Sequence, residues 1–413
     1  MTEPAFVKTF ATNFLIKQRA FMVLKFPENF FFGTSTSAYQ TETAFDHDWA
    51  GLTAKDGRTF HRTTDHEKRL AEDAGIISSL APNYRFSLMW SKLQREPYAS
   101  LNADATQEYL EFIHDLRSKR ITLMMVIHHW ANPLWFANSG GWLNDESVSQ
   151  WTDYARKIVD EFGDYVDLWN TFNEPNLYVT FSFLLGKFPP FKKNPANAIK
   201  AARNMGAAHG AIYQYIKKRF PDKLVGVSHN CAVFTAQNML GELPARLARL
   251  WYTSVLPGFF EQSDFTGISY YARIRFDPFP ITNLYTPGKL HALEKPCDDI
   301  WEYYPEGLWR HVNHFWERNR KPIIITENGI CTNDDTKRVK ALKDYMSVIH
   351  RALHQKIPIL GYYHWSAWDN FEWTLGMDFR FGLFEVDPDT CKRTPKPSAN
   401  VYRRLAYERV IEI

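Results

Sequence analysis

Two glutamates stand where chemistry could be done. Glu174 lies in "WNTFNEPN" (Trp169 to Asn176), at the end of an apolar run and directly before a proline, which disfavours the helical region and predicts an extended backbone for Glu174. Glu327 lies in "PIIITENGI" (Pro322 to Ile330), where a β-branched apolar run meets the turn dipeptide Asn328-Gly329. Taken singly, either acid is as readily a salt-bridged strand-end residue as a reactive one. Taken as a pair facing one cleft, they are the equipment of glycoside hydrolysis: one carboxyl protonates the departing oxygen and the other attacks the anomeric carbon. With retention of configuration, the two carboxyls lie about 5 to 5.5 Å apart.

Such a pair has to be brought together by the elements that carry it. Short apolar runs begin at Asn29, Tyr84, Ile121, Tyr165, Lys223, Asp264, Lys321 and Ile357, and helical patterns intervene, as in Asp145 to Phe162 and Ala198 to Phe220. Apolar strands alternating with amphipathic helices imply a parallel sheet covered by helices. The count of eight favours a closed (β/α)8 TIM barrel with elaborated βα loops over a doubly wound α/β sheet. His128, His129, Asn173, Glu174, Tyr271, Glu327, His364 and Trp365 all fall at the C-terminal ends of their runs, the end at which barrels build their sites. No linker or repeat divides the 413 residues, so residues 22–413 are expected to form one catalytic domain, with residues 1–21 a loosely attached extension.

The 49 Lys and Arg against 46 Asp and Glu leave a net charge of +3 with the signs interspersed, which predicts no nucleic-acid partner. Cys231, Cys297, Cys331 and Cys391 are widely spaced, and no secretory leader or membrane-length apolar run is visible, so a cytoplasmic protein is expected. His128-His129 lacks the spacing of a helical zinc site, and neither a metal nor a cofactor is expected. Aromatic residues make up 16% of the chain, which suits both a bulky core and a sugar-binding cleft.

The chain resembles glycoside hydrolase family 1, the β-glucosidase family of retaining barrels. The resemblance rests on "TFNEP" and "ITENG" and extends from about Phe26 to Tyr402 through "FFFGTSTSAYQTE", "YRFSLMWSKL", "HHWANPLWF", "GISYY", "WSAWDNFEW", "RFGLFEVD" and "KRTPKPSA". It implies that Glu174 is the acid/base and Glu327 the nucleophile, with Arg85 and Tyr271 bordering Glu327. It further implies that Gln40, His129 and Asn173 bond the sugar, that Trp365 forms a platform beneath it, that Glu372 and Trp373 read its outer hydroxyls, and that Phe381 closes the apolar wall. His128 is read as structural. The substrate implied is a small β-glycoside or oligosaccharide, unphosphorylated because Glu372, Phe379 and Phe381 stand where relatives that act on sugar phosphates bind the phosphate.

Three departures from the family pattern stand out. Ser269 replaces a usual Asn, which puts one contact near the nucleophile in question. Asn176 replaces a usual aromatic residue, which predicts a more polar leaving-group side. The stretch from Val233 to Phe265 is short, which predicts an opened flank. A transglycosylase and a catalytically weak sugar-binding relative are the alternative readings.

Overall fold

The computed structural model describes residues 23–43, 46–236, 238–276 and 300–413. The expected extension, residues 1–21, and Cys297 lie outside them. All eight apolar runs form strands: β1 (Phe31–Ser35), β2 (Asn83–Ser87), β3 (Thr122–His128), β4 (Leu168–Asn173), β5 (Leu224–Asn230), β6 (Phe265–Tyr270), β7 (Ile323–Asn328) and β8 (Ile359–Trp365). They pair in parallel and in sequence order, and β8 returns to β1 to close a barrel. This is the (β/α)8 barrel that the alternation predicts.

A helix follows each strand: α1 (Leu70–Leu80), α2 (Ala103–Ser118), α3 (Ser147–Phe162), α4 (Pro195–Arg219), α5 (Glu242–Leu250), α6 (Glu306–Asn319), α7 (Asp335–His354) and α8 (Pro397–Glu408). Local chemistry sets where several of them begin. Asn102 caps α2 by accepting from the Ala105 amide, Asn194 caps α4 with Pro195 in its first turn, and Asp334 caps α7 by accepting from Thr336. In α3 the buried Trp151, Ala155, Ile158 and Phe162 make one stripe at helical spacing, which is the face laid on the sheet.

Inside the barrel, Met124, Leu168, Phe265, Ile324 and Tyr363 from five strands meet in a packed layer that closes the floor. Near the C-terminus, buried Arg393 forks onto both carboxylate oxygens of Asp73 in α1 at 2.8 Å each, and His66 Nδ1 lies 2.7 Å from Asp73 Oδ2. This buried cluster ties the loop after β8 back to the first helix of the barrel.

Candidate active site

The C-terminal ends of the strands surround one pocket, and nearly every strand supplies a wall. Gln40 comes from a helical turn after β1, His129 and Trp130 follow β3, Asn173 and Glu174 end β4, and Asn230 ends β5. Tyr271 follows β6, Glu327 lies in β7, and Trp365 ends β8. The loop beyond β8 brings Glu372, Trp373 and Phe381. Thus ten of the eleven residues given a catalytic or sugar-binding role from the sequence line the same cavity; the eleventh, Arg85 in β2, lies beneath it and reaches Glu327. His128 and His364 do not enter it. His128 Nε2 lies 3.0 Å from Asn132 Oδ1 within a ring of aromatics, and His364 packs against Tyr402.

Glu327 is buried and held from both sides. Arg85 Nη1 donates to its Oε1 at 2.6 Å and the Tyr271 hydroxyl donates to its Oε2 at 2.8 Å. Charge-assisted bonds of this kind are the strong ones, and they fix the carboxylate plane. The second Arg85 nitrogen donates to Asn173 Oδ1 at 2.6 Å, and Asn173 Nδ2 lies 2.9 Å from His129 Nε2. A chain of polar contacts therefore runs from Glu327 through Arg85 and Asn173 to His129. Ser269 does not join it; its hydroxyl lies 3.5 Å from that of Thr326.

Glu174 lives in a different environment. Its Oε1 accepts from Asn230 Nδ2 at 3.1 Å, and no cation touches it among the described residues. Burial, then the nearby charge of Glu327, hold its carboxyl well above the usual range. Two side chains of one type are thereby driven apart in behaviour by what surrounds them. The backbone at Glu174 corrects the sequence expectation: φ is 45° and ψ 51°, left-handed rather than extended. Its amide donates to the Ser228 carbonyl of the neighbouring strand at 2.8 Å, while its own carbonyl already accepts from Tyr178, in the helical turn that starts at Pro175. A strand that must become a helix within one residue has no room for an extended step there. Trp130 and Trp373 share the positive φ, at 68° and 41°.

Burial keeps His129 neutral, its pKa pressed well below the ordinary value with Arg85 adding to the effect. Burial, with the Glu327 charge second, lifts Glu372 to about 8. Gln40 Nε2 donates to Asn370 Oδ1 and to Glu372 Oε2, both at 3.1 Å. Gln40 Oε1 and His129 Nδ1 are buried without a hydrogen-bond partner among the described residues. Buried polar atoms left in this state call for an occupant that supplies both donors and acceptors, as a polyol does. Trp365 and Trp373 offer flat apolar faces beside them. Gly329 lets β7 and β8 close at this end, because a Cβ there would lie 2.1 Å from the Trp365 carbonyl oxygen.

Asn176 also corrects an expectation. Instead of making the leaving-group side more polar, it is fully buried, donating to the Asn230 and Tyr252 carbonyls at 2.8 and 3.2 Å and accepting from the Asn230 amide at 2.9 Å. It fixes the end of β5 and, through it, the Asn230 donor that touches Glu174. Sequence reasoning assigned no role to Asn230, Trp130 or Trp301; for Asn230 the available signal was a polar residue at the end of a strand.

Comparison with known proteins agrees with this arrangement. The family model described as Glycosyl hydrolase family 1 matches residues 22–240 and 256–410. Beta-glucosidase A of Acetivibrio thermocellus is 28% identical over 92% of this chain and 98% of its own length, and a beta-galactosidase of Saccharolobus solfataricus is 30% identical over 74% and 70%. Among solved structures, a beta-glucosidase from Thermotoga maritima in complex with deoxynojirimycin superposes with a TM-score of 0.81 at 27% identity, covering 93% of this chain and 99% of that one. A beta-glycosidase from Pyrococcus horikoshii superposes with a TM-score of 0.82 at 31% identity, covering 95% and 97%. The chain belongs to glycosyl hydrolase family 1 and is a glycoside hydrolase acting on O-glycosyl bonds.

Proposed function

We propose that the protein is a retaining β-glycosidase for unphosphorylated β-glycosides, with Glu327 as nucleophile and Glu174 as acid/base. The observation that carries this reading is the contrast between the two buried carboxyls: Glu327 is clamped by Arg85 and Tyr271, whereas Glu174 accepts from a neutral amide and holds its proton to higher pH. Glu327 attacks the anomeric carbon while Glu174 protonates the departing oxygen, giving a glycosyl ester on Glu327. Formation of the ester removes the Glu327 charge that supports the Glu174 proton, so Glu174 becomes more acidic and takes a proton from the incoming water.

In this reading Trp365 lies under the sugar ring, and Gln40 Oε1, His129 Nδ1 and the free hydrogen of Asn173 Nδ2 take its hydroxyls. Glu372 and Trp373 face the outer hydroxyls, and Phe381 packs against Tyr271 and Trp301 to close the apolar wall. A barrel used for recognition alone would gain little from burying two carboxyls at one mouth. A cytoplasmic setting agrees with the buried thiols of Cys231 and Cys391, each donating to a carbonyl. Incubation with a 2-deoxy-2-fluoro aryl β-glycoside, followed by peptide mapping, should place the label on Glu327; a label on any other carboxylate would overturn the assignment.

A further inference from the structure

The stretch after β5 borders a feature that hydrolysis of the sugar does not use. Beside Glu174 the pocket continues into an apolar cleft whose walls include Leu177, Phe181, Tyr252, Ala272, Ile274 and Trp301. Among its polar groups, Asn230 gives Nδ2 to Glu174, the Tyr252 hydroxyl is turned to Thr180 and the Tyr271 hydroxyl is held by Glu327. Tyr252 also lines a second apolar cavity of about 460 Å3, walled by Leu184, Phe234, Leu247, Trp251 and Phe276.

The two spaces lie along one ribbon, in which Val233–Ala236 pairs with Arg273–Phe276. Alternation along a strand puts Ala272, Ile274 and Phe276 on one face, so the first cleft and the second cavity share a wall. Five residues at the strand rise span about 13 Å, the reach of an extended alkyl chain of roughly ten carbons. Leu247 and Leu250 of α5 line the second cavity, and with Leu243, and with Met239 and Leu240 in the turn before the helix, they are between 47% and 95% exposed. The family model passes over this place, leaving residues 241–255 unmatched.

We propose that this groove binds the aglycone, and that the natural substrates are β-glycosides of apolar, long-chain alcohols rather than oligosaccharides. The inference rests on the β-glycosidase reading and extends it to the leaving group. A second sugar would find few partners for its hydroxyls along these mainly apolar walls, whereas an alkyl chain needs none and removes apolar surface from water. The bond broken is the same anomeric C–O bond: Glu174 protonates the alcohol oxygen, and water later supplies the hydroxyl to the anomeric carbon.

The test is a series of methyl, butyl, octyl and decyl β-glycosides of the sugar preferred in aryl glycoside assays, each kept below its aggregation concentration, with the matching disaccharide alongside. Partial burial of each methylene should raise kcat/KM about twofold, or on the order of a hundredfold from methyl to octyl. Leu247→Glu, at a half-exposed site far from the carboxyls in sequence, should abolish most of that gain and leave aryl and methyl glycosides unchanged. A flat series, or a disaccharide cleaved as fast as the octyl glycoside, would overturn the groove while aryl glycoside turnover kept the glycosidase standing. Absence of turnover with every glycoside, aryl ones included, would remove both.

Discussion

Among the described residues the Asn230 carboxamide is the one donor on Glu174, so Asn230→Ala should move the alkaline limb of the pH–rate profile. Glu174 acts as acid in its protonated form, and kcat/KM for a substrate with a poor leaving group falls as pH rises through its pKa. The Asn230 bond stabilises the charged form and therefore pulls that pKa down against burial and Glu327, which push it up. Without the bond the proton is held more tightly, and the limb moves to higher pH. A 3.1 Å bond from a neutral amide, partly replaceable by water at the cleft, is worth about 1 kcal/mol in the charged form, or about 0.7 pH unit. The other groups facing Glu174, namely Glu327, Arg85, Glu372, Cys231, Tyr252 and Tyr271, are untouched by the change. The assay is kcat/KM against pH with an alkyl or unactivated aryl glycoside. An activated aryl glycoside, whose leaving group needs no proton, should show a much smaller displacement. An unmoved limb, or one displaced to lower pH, would refute the reasoning. Asn176→Leu should act on the same limb indirectly, and should also lower stability by about 2 to 4 kcal/mol, because the Asn230 amide and two carbonyls lose their buried partner.

Other outcomes follow from the same geometry. Glu174→Ala should retain the first step on activated aryl glycosides and regain turnover with added azide, whereas Glu327→Gly should lose turnover of every substrate by on the order of 10^4-fold or more, as steady-state and burst kinetics will show. A glucoside should be cleaved faster than its 6-phosphate in a direct rate comparison, since Glu372 supplies no cation to a phosphate and the Phe379 and Phe381 rings cannot bind one. Arg393→Met should cost about 3 to 5 kcal/mol in denaturant titration, because it strands the buried Asp73 carboxylate. A chain beginning at Met22 should keep soluble folding and activity, checked by circular dichroism and aryl glycoside turnover.

The barrel was legible because its signal is repeated: eight apolar runs ending in polar residues admit few arrangements, and strand order followed from alternation alone. The pocket was legible because strand ends converge, so that Gln40, His129, Asn173, Glu327 and Trp365 needed only closure to meet. What escaped was set by contacts across the ring. Asn230 touches Glu174 from 56 residues away. Asn176 looked like a cleft residue from its place beside the motif, yet a single left-handed step at Glu174 starts the helix that turns its amide toward β5 and Tyr252. Pro175 was read as forcing Glu174 to be extended, but the chain's need to pass from strand to helix at once outweighed that preference. The apolar groove carries no motif, since it is assembled from a ribbon, a helix and the loop residues between them.

Trp130, Glu174 and Trp373, all on the pocket wall, hold backbone angles that suit glycine better than any of them. Each such residue raises the energy of the folded chain by about 1 to 2 kcal/mol, which the rest of the barrel must offset. At the two tryptophans the buried ring more than offsets this cost, since removing it would leave a cavity worth about 3 to 5 kcal/mol. At Glu174 durability and chemistry compete, and selection for heat resistance alone would drift it toward glycine or asparagine. Glu174→Gly is the sharpest instance: it should raise the melting temperature while removing the acid, so the most stable version of this fold is not the version that works.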